Sequence, residues 1–226
     1  SIAGMDLDEA SDAIDLLVDR GILYARDDGT LGFSHQLIRD ALYQEIGPVE
    51  RWRTHRAAAV WLASLPSSPS VDVALARHVR ECAEPADELA IEALSRAAER
   101  VCMSAPHSSI EWYRAAVSVT PDGDERHGEL MARLARALFL AGHPRDAADV
   151  GRASLVRIAP GDARQRLTNL VIEALIEISA SQEASELIDL GIGSGLRYTA
   201  QSAHILALIG RLDDARRAAE QVLHEL

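Results

Sequence analysis

The stretch Gly142-His-Pro-Arg-Asp-Ala147 decides the fold, because a similar stretch returns 68 residues later as Gly210-Arg-Leu-Asp-Asp-Ala215. Each stretch begins with a glycine, which suits the turn between two helices. Each then reaches an alanine five residues later, which lets paired helices approach closely. Since 68 is twice 34, the interval predicts a helix pair that repeats along the chain.

Two more turns fit the same period. One is the segment from Ser104 to Pro121, which carries an aromatic, an alanine and a proline at the expected offsets, and the weaker one is Ser179-Ala-Ser-Gln-Glu-Ala184. Positions 104, 142, 179 and 210 lie 38, 37 and 31 residues apart. This pattern is typical of tetratricopeptide (TPR) repeats, whose period is about 34 residues. We therefore predict TPR-like helical repeats over residues 71–226.

The composition supports an all-α fold. Aromatic residues make up only 4% of the 226 residues, while alanine, leucine and arginine are abundant. Such a mixture favours helices that pack through small residues over a β-sandwich. Leu134, Ala135 and Leu138 before Gly142, with Ala203 and Leu206 before Gly210, are the expected contacts of the first helix in each pair.

The first 48 residues show a different pattern. A helix is expected over residues 6–20, with Asp6 as its cap and Gly21 at its end. Two short strands, from Ile22 to Tyr24 and at Leu31 and Phe33, are expected to flank an Asp-Gly turn at residues 27–30. A second helix follows, with a glycine cap and a proline start at Gly47-Pro48. This order predicts a partial winged helix over residues 1–48.

Residues 49–70 are predicted to connect the two parts. A helix is expected from Val49 to Leu65, with Trp52 turned inward and Ala59, Val60, Leu62 and Ala63 available for packing. The segment Pro66-Ser-Ser-Pro-Ser70 has the composition of a linker. The fold class predicted for the chain is thus all-α, a partial winged helix with a small β-hairpin followed by a TPR-like solenoid.

The absence of lysine excludes several enzyme classes from these 226 residues. A Walker-type phosphate loop, a kinase-type strand lysine and a Schiff-base lysine all need that side chain. The net charge of −12 disfavours non-specific nucleic-acid binding. The predicted recognition helix is also rich in aspartate and glutamate, so we expect no direct DNA binding by this segment.

Other candidates are weaker. Arg51, Arg53 and Arg56 are interpreted as a solvated helix face, and His78 with Cys82 as at most half a metal site, so no metal is expected. The segment Gly191-Ile-Gly-Ser-Gly195 is expected to be a loop. We find no catalytic residues. Two cysteines, no signal peptide and no apolar run of about 20 residues predict a cytoplasmic protein without membrane association.

The segment Phe33-Ser-His-Gln-Leu-Ile-Arg-Asp-Ala resembles the Met-His-Asp-type motif in the winged helix of STAND nucleotide switches, with Ser34 and Gln36 in place of the flanking residues. Leu16-Leu-Val-Asp-Arg-Gly-Ile-Leu-Tyr24, Arg51-Trp-Arg-Thr-His-Arg-Ala-Ala-Ala59 and residues 90–100 resemble the large ATP-binding LuxR-type regulators of that class. The likeness covers most of the chain to about Ala153. It implies a segment excised from a longer protein, between an ATPase module and a LuxR-type DNA-binding domain.

The resemblance implies a role for one residue. His35 would contact the β-phosphate of ADP bound to the ATPase module, which this chain lacks, so ATP or ADP belongs to the full-length protein. The repeats would bind a protein or small-molecule effector. Two alternatives remain: a nucleotide-independent TPR scaffold, and a regulatory segment of a nucleotide cyclase that carries an ATPase module. For His35 itself, the alternative is a structural residue that caps its own helix or bonds the hairpin.

Overall fold

A computed structural model describes residues 6–27, 30–190 and 196–225. They form twelve helices and one β-hairpin, which confirms the predicted all-α class with a small hairpin. The chain divides into two compact units, Ser1–Cys82 and Ala83–Leu226. The first holds α1 (Leu7–Asp19), β1 (Leu23–Ala25), β2 (Leu31–Phe33), α2 (Gln36–Glu45), α3 (Pro48–Ala63) and α4 (Pro69–Arg80).

The second unit consists of helices alone in its described residues. They are α5 (Glu88–Val101), α6 (Pro106–Val119), α7 (Glu125–Leu140), α8 (Pro144–Leu155), α9 (Asp162–Glu177), α10 (Ser181–Asp189), α11 (Leu196–Leu208) and α12 (Leu212–Glu225). The division at Cys82 places α3 and α4 in the first unit. It falls later in the chain than the predicted start of the repeats at residue 71.

The start of the chain follows its sequence signals closely. Asp6 caps α1 by accepting a hydrogen bond from the amide of Glu9 at 2.8 Å, and Glu9 returns a capping-box contact. Gly21 closes the helix with a φ of 68°. β1 and β2 pair antiparallel, with Leu23 opposite Phe33. The predicted turn includes residues 28 and 29, which lie outside the described residues, as does the predicted loop at 191–195.

The spacing of its apolar residues favours a buried face on α2, and no such face is formed. None of the α2 side chains is fully buried, and Leu37 is 83% exposed and Leu42 48% exposed. The left-handed cap expected at Gly47 is also wrong, because Gly47 has a φ of −59° and instead caps the start of α3. Pro48 occupies the first turn of α3 as predicted.

The predicted linker is shorter than its composition indicated. Ser68 caps α4 by accepting from the amide of Val71 at 3.2 Å, so Pro69 and Ser70 already belong to that helix. α3 packs against α4. Ala59 and Leu62 are buried as predicted, but Trp52, Val60 and Ala63 are exposed. The apolar side of α3 is therefore narrower than its sequence indicated.

The helices of the second unit form consecutive hairpins, in which α5 packs on α6, α7 on α8, α9 on α10 and α11 on α12. Three of the four turns share one geometry. Gly142, Ser179 and Gly210 have φ values of 79°, 58° and 82°. In each turn the next residue donates its amide to a carbonyl five residues earlier, at 2.9 Å, 2.8 Å and 2.8 Å. The predicted turns at 142, 179 and 210 are confirmed.

Small residues form the contacts between these helices. Ala90, Ala97, Ala135 and Ala174 lie in the first helices of three hairpins and are completely buried. Two buried serines of the second helices donate hydrogen bonds to carbonyls of the preceding helix. Ser109 bonds Ala98 at 2.9 Å, and Ser154 bonds Gly128 at 2.6 Å. Within the described ranges, no helix is long and apolar enough to cross a membrane.

Gly151 lies where two consecutive hairpins approach each other closely. It lies on α8, and a Cβ built there would stand 2.4 Å from Cγ2 of Val171 on α9 and 3.7 Å from Cβ of Ala135 on α7. Val171 is completely buried and its branched side chain has little freedom to rotate. The absence of a side chain at 151 therefore allows three helices to meet.

The substitution Gly151→Ala should destabilise the protein. Overpacking costs roughly 1–3 kcal/mol, and the better helix propensity of alanine returns up to about 1 kcal/mol, so we expect a net loss of about 1–2 kcal/mol in the free energy of unfolding by urea. Gly123→Ala is the matched control, because a Cβ there meets nothing within 4 Å. Equal stabilities for the two variants would contradict the close approach at Gly151.

Candidate partner-binding groove

A groove of about 990 Å³ runs along α5, α7 and α9, the first helices of three successive hairpins. Helical periodicity explains which side chains line it. On α7, Glu129, Arg133, Arg136 and Leu140 follow one another at intervals of three or four residues, so they share one face. Arg166, Asn169 and Glu173 repeat this spacing on α9.

One end of the groove is a connected polar network. Arg133 contacts Glu129 at 2.6 Å and reaches Glu99 at 4.0 Å. The buried Tyr113 of α6 donates its hydroxyl to Glu99 at 2.6 Å. Burial, followed by the hydrogen bond to the Glu99 carboxylate, raises the pKa of Tyr113, so the phenol stays protonated. The carboxylates of Glu99 and Glu129 are therefore already engaged.

The other two arginines of the groove, Arg136 and Arg166, form fewer hydrogen bonds and ion pairs than Arg133. The one hydrogen bond of the Arg136 guanidinium among the described residues is to Sδ of Met103, at 3.8 Å, and it forms no ion pair there. Arg166 makes no hydrogen bond or ion pair to another residue in the described ranges. Oδ1 of Asn169 is buried and has no partner there either. Apolar side chains, including those of Phe139, Leu167 and Leu170, lie beside these groups.

The sequence singled out other residues and missed this groove. Glu173, one helical turn before Glu177 on α9, lines the groove. A usable signal was present in the first helices of the repeats. Polar residues recur there at intervals of three or four on the side away from the buried Leu134 and Leu138. What the sequence did not give is which of those polar groups already bind each other.

His35, the predicted phosphate contact, lies at the N-terminal boundary of α2 in the first unit. Its side chain is exposed and does not cap the helix, so the structural role as a cap is not formed. Arg39, one helical turn later, donates two hydrogen bonds to Asp40, at 2.7 Å and 3.0 Å. Its guanidinium is therefore held by a carboxylate. Contact between His35 and a phosphate stays a prediction.

Three side chains of the first unit form a chain of hydrogen bonds. Tyr43 and Nε2 of His55 are 2.9 Å apart, and Nδ1 of His55 lies 3.0 Å from Nδ1 of His78. Arg51 stacks on the ring of Tyr43, with 4.7 Å between the guanidinium carbon and the ring centroid. The predicted solvated basic face is thus wrong for Arg51. Its neighbour Trp52, expected to be buried, is 38% exposed.

The contact between His78 and His55 also affects the metal site that was considered for His78 and Cys82. The thiol of Cys82 is buried and donates to the carbonyl of His78 at 3.3 Å, whereas the His78 imidazole faces His55. In the part of the chain that the structure describes, no group of three or more histidine, cysteine or acidic side chains is placed to hold a metal ion. Desolvation, and then the neighbouring His55, lowers the pKa of His78.

Comparison with known proteins adds no assignment to this site. No protein-family model matches the chain, and none of the curated proteins matches its sequence. The resemblance to LuxR-type regulators therefore rests on the motifs quoted above, and the groove is interpreted from its own geometry.

The His55–His78 pair should make stability depend on pH. The pKa of His78 is lowered in the folded protein, so below about pH 6.5 the unfolded chain binds a proton that the folded chain does not. Stability is then lost as pH falls through this range, and is fully present above it. The free energy of urea unfolding should decrease less between pH 8 and pH 5.5 for His78→Gln than for the unsubstituted protein.

His204→Gln is the control for this experiment, because His204 is exposed on α11. It should retain the pH dependence of the unsubstituted protein. An identical decrease for the His78→Gln and His204→Gln variants would show that the histidine pair does not couple protonation to folding.

Proposed function

We propose that the chain is a non-catalytic regulatory and protein-interaction segment of a multidomain STAND-type regulator of the LuxR family. In this proposal the first unit docks on an ATPase module and senses its nucleotide, and the second unit binds an effector or partner. The observation that carries the proposal is α2, which combines an exposed histidine at its start with apolar side chains that remain in contact with water, Leu37 at 83% and Leu42 at 48% exposure.

The apolar surface of the first unit supports a docking role. Its exposed large hydrophobic side chains come from both helices and both strands of the winged-helix region, and include Ile14, Leu16, Tyr24, Phe33, Leu37, Leu42 and Ile46. Exposed apolar side chains that lie together mark an interaction site more often than an isolated exposed leucine does, and in the proposal these side chains share one covering module. A covering module would remove these side chains from water and hold His35 against its nucleotide.

In this proposal the chain does not supply a complete nucleotide site. It has no lysine for a phosphate loop, and His35 is the phosphate contact that the resemblance implies. A histidine can donate a hydrogen bond to a phosphate oxygen, but one contact does not bind a nucleotide. The proposal therefore assigns binding and hydrolysis of ATP to the separate module and gives this chain only a sensing contact.

The acidic side chains of α1 support a role other than DNA binding. Asp8, Glu9, Asp12, Asp15 and Asp19 are all exposed, and the winged-helix position they occupy would face phosphates in a DNA complex. Phosphate repels such a surface. In the proposal, DNA binding belongs to a separate LuxR-type domain, and the winged helix serves as a packing module.

A nucleotide-independent scaffold is the second candidate. It is favoured by the separation of the two features, because His35 and the groove lie in different compact units. If no coupling links these units, partner binding on the repeats proceeds whatever nucleotide the ATPase module holds. Coupling between two sites requires that each ligand changes the affinity for the other by the same factor.

The nucleotide-sensing role predicts that His35→Ala weakens ADP retention in the full multidomain protein. Loss of the imidazole removes one hydrogen bond to the phosphate, and a charge-assisted bond of this kind contributes about 1.5–3 kcal/mol, so ADP should dissociate roughly ten- to a hundredfold faster. Basal transcription from the target promoter should rise, because the closed state loses a contact. ADP release from a fluorescent analogue and a reporter assay measure the two effects.

His224→Ala provides the matched control, since His224 is an exposed histidine of the second unit. It should leave both readouts unchanged. Normal ADP retention and basal transcription in the His35→Ala variant would remove the sensing role and leave the scaffold as the better proposal.

A further inference from the structure

The acidic side chains of the groove have partners, whereas two of its arginines have no carboxylate partner among the described residues. This difference indicates the chemistry of a binding partner. Glu99 and Glu129 already accept from Tyr113 and Arg133. Arg136 and Arg166 have no carboxylate partner among the described residues. The groups of the groove surface that can still form hydrogen bonds are therefore mainly the guanidinium groups of these two arginines.

We propose that the groove binds a protein segment in which acidic side chains alternate with apolar ones. The carboxylates would pair with Arg136 and Arg166, and the apolar side chains would lie against Phe139, Leu167 and Leu170. This inference rests on the proposed function only in that the second unit binds a partner. It adds the charge and polarity of that partner.

Guanidinium geometry favours carboxylate as the matching group. The planar fork of arginine can donate two parallel hydrogen bonds to one carboxylate, and such charge-assisted pairs are about twice as strong as neutral hydrogen bonds.

The shape of the groove favours a peptide over a small carboxylate. It is lined by side chains from the first helices of three successive hairpins, from Glu99 on α5 to Glu173 on α9, so it extends over several residues of an extended chain. Its volume of about 990 Å³ is at the upper end for a small-molecule pocket. Charged and apolar groups are distributed along it, which matches a ligand with more than one side chain.

Three fluorescein-labelled octapeptides test the proposal on the whole 226-residue chain by fluorescence anisotropy. The first is Gly-Leu-Glu-Ala-Leu-Glu-Ala-Gly, the second carries glutamine at both glutamate positions, and the third carries arginine there. The acidic peptide should bind at least tenfold more tightly than the amide peptide, and the arginine peptide should bind most weakly. The substitutions Arg136→Gln and Arg166→Gln should each lower the affinity for the acidic peptide about tenfold. They should leave the affinity for the amide peptide unchanged.

Arg216→Gln is the control variant, since Arg216 is 80% exposed on α12 and pairs with Glu220. It should bind all three peptides as the unsubstituted chain does. Circular dichroism of each variant verifies that the helices are intact. A competition arm with 10 mM succinate identifies the source of the carboxylate. Weak competition supports a peptide, and full displacement would overturn it in favour of a small dicarboxylate.

The remaining outcomes separate this proposal from the proposed function. Equal binding of the acidic and amide peptides would overturn the carboxylate chemistry while leaving partner binding by the repeats intact. Absence of binding by the acidic peptide at 1 mM would also overturn it. Neither result bears on ADP retention, which depends on His35 in the other unit.

Discussion

Close contact between helices over alanine and glycine is the constraint on which the second unit depends. Ala90, Ala97, Ala135 and Ala174 are completely buried, and Gly151 leaves room for Val171 where a methyl group would collide. Because helices that approach this closely make many contacts per residue, a core can form with few aromatic side chains. The same packing orients α5, α7 and α9 so that their outer faces meet along one groove. Small residues on one side of each helix thus permit charged residues to gather on the other.

The sequence predicted those parts of the fold that local chemistry controls. The capping aspartate of α1, the proline that starts α3 and the left-handed turns at Gly142 and Gly210 follow from residue type and spacing. The turn at Ser179 follows from spacing alone, because a residue with a side chain rarely adopts a φ of 58°. Predictions failed where tertiary contacts decide. The apolar residues of α2 recur at helical spacing, but Leu37 and Leu42 are 83% and 48% exposed. His55 and His78 are 23 residues apart, and their contact depends on how α3 packs on α4. The groove was not predicted for the same reason. Only the three-dimensional structure shows that Arg133 pairs with Glu129 while Arg166 has no such partner among the described residues.

The two units differ in which side chains they leave exposed or without a partner. The second unit holds most of the buried hydrophobic side chains, although Val156, Leu212 and Leu223 there are exposed. Two arginines of its groove have no carboxylate partner among the described residues. The first unit leaves much of its apolar surface on α1 and α2 in contact with water, next to an exposed histidine. In the proposed regulator these are two interaction surfaces with different partners. An apolar face on the first unit suits permanent packing against a module of the same protein, whereas a charged groove suits a partner that binds and leaves.

Amide hydrogen exchange tests this difference between the units most directly. In the 226-residue chain, amides of α7 and α9 should exchange slowly, because both helices are anchored by buried side chains. Amides of α2 should exchange much faster, because none of its side chains is fully buried. In the proposed multidomain regulator the α2 amides should gain protection, while those of α7 and α9 should keep the protection they have in the 226-residue chain. Equal protection of α2 and α7 in the 226-residue chain would contradict the account, because the first unit would then need no covering module.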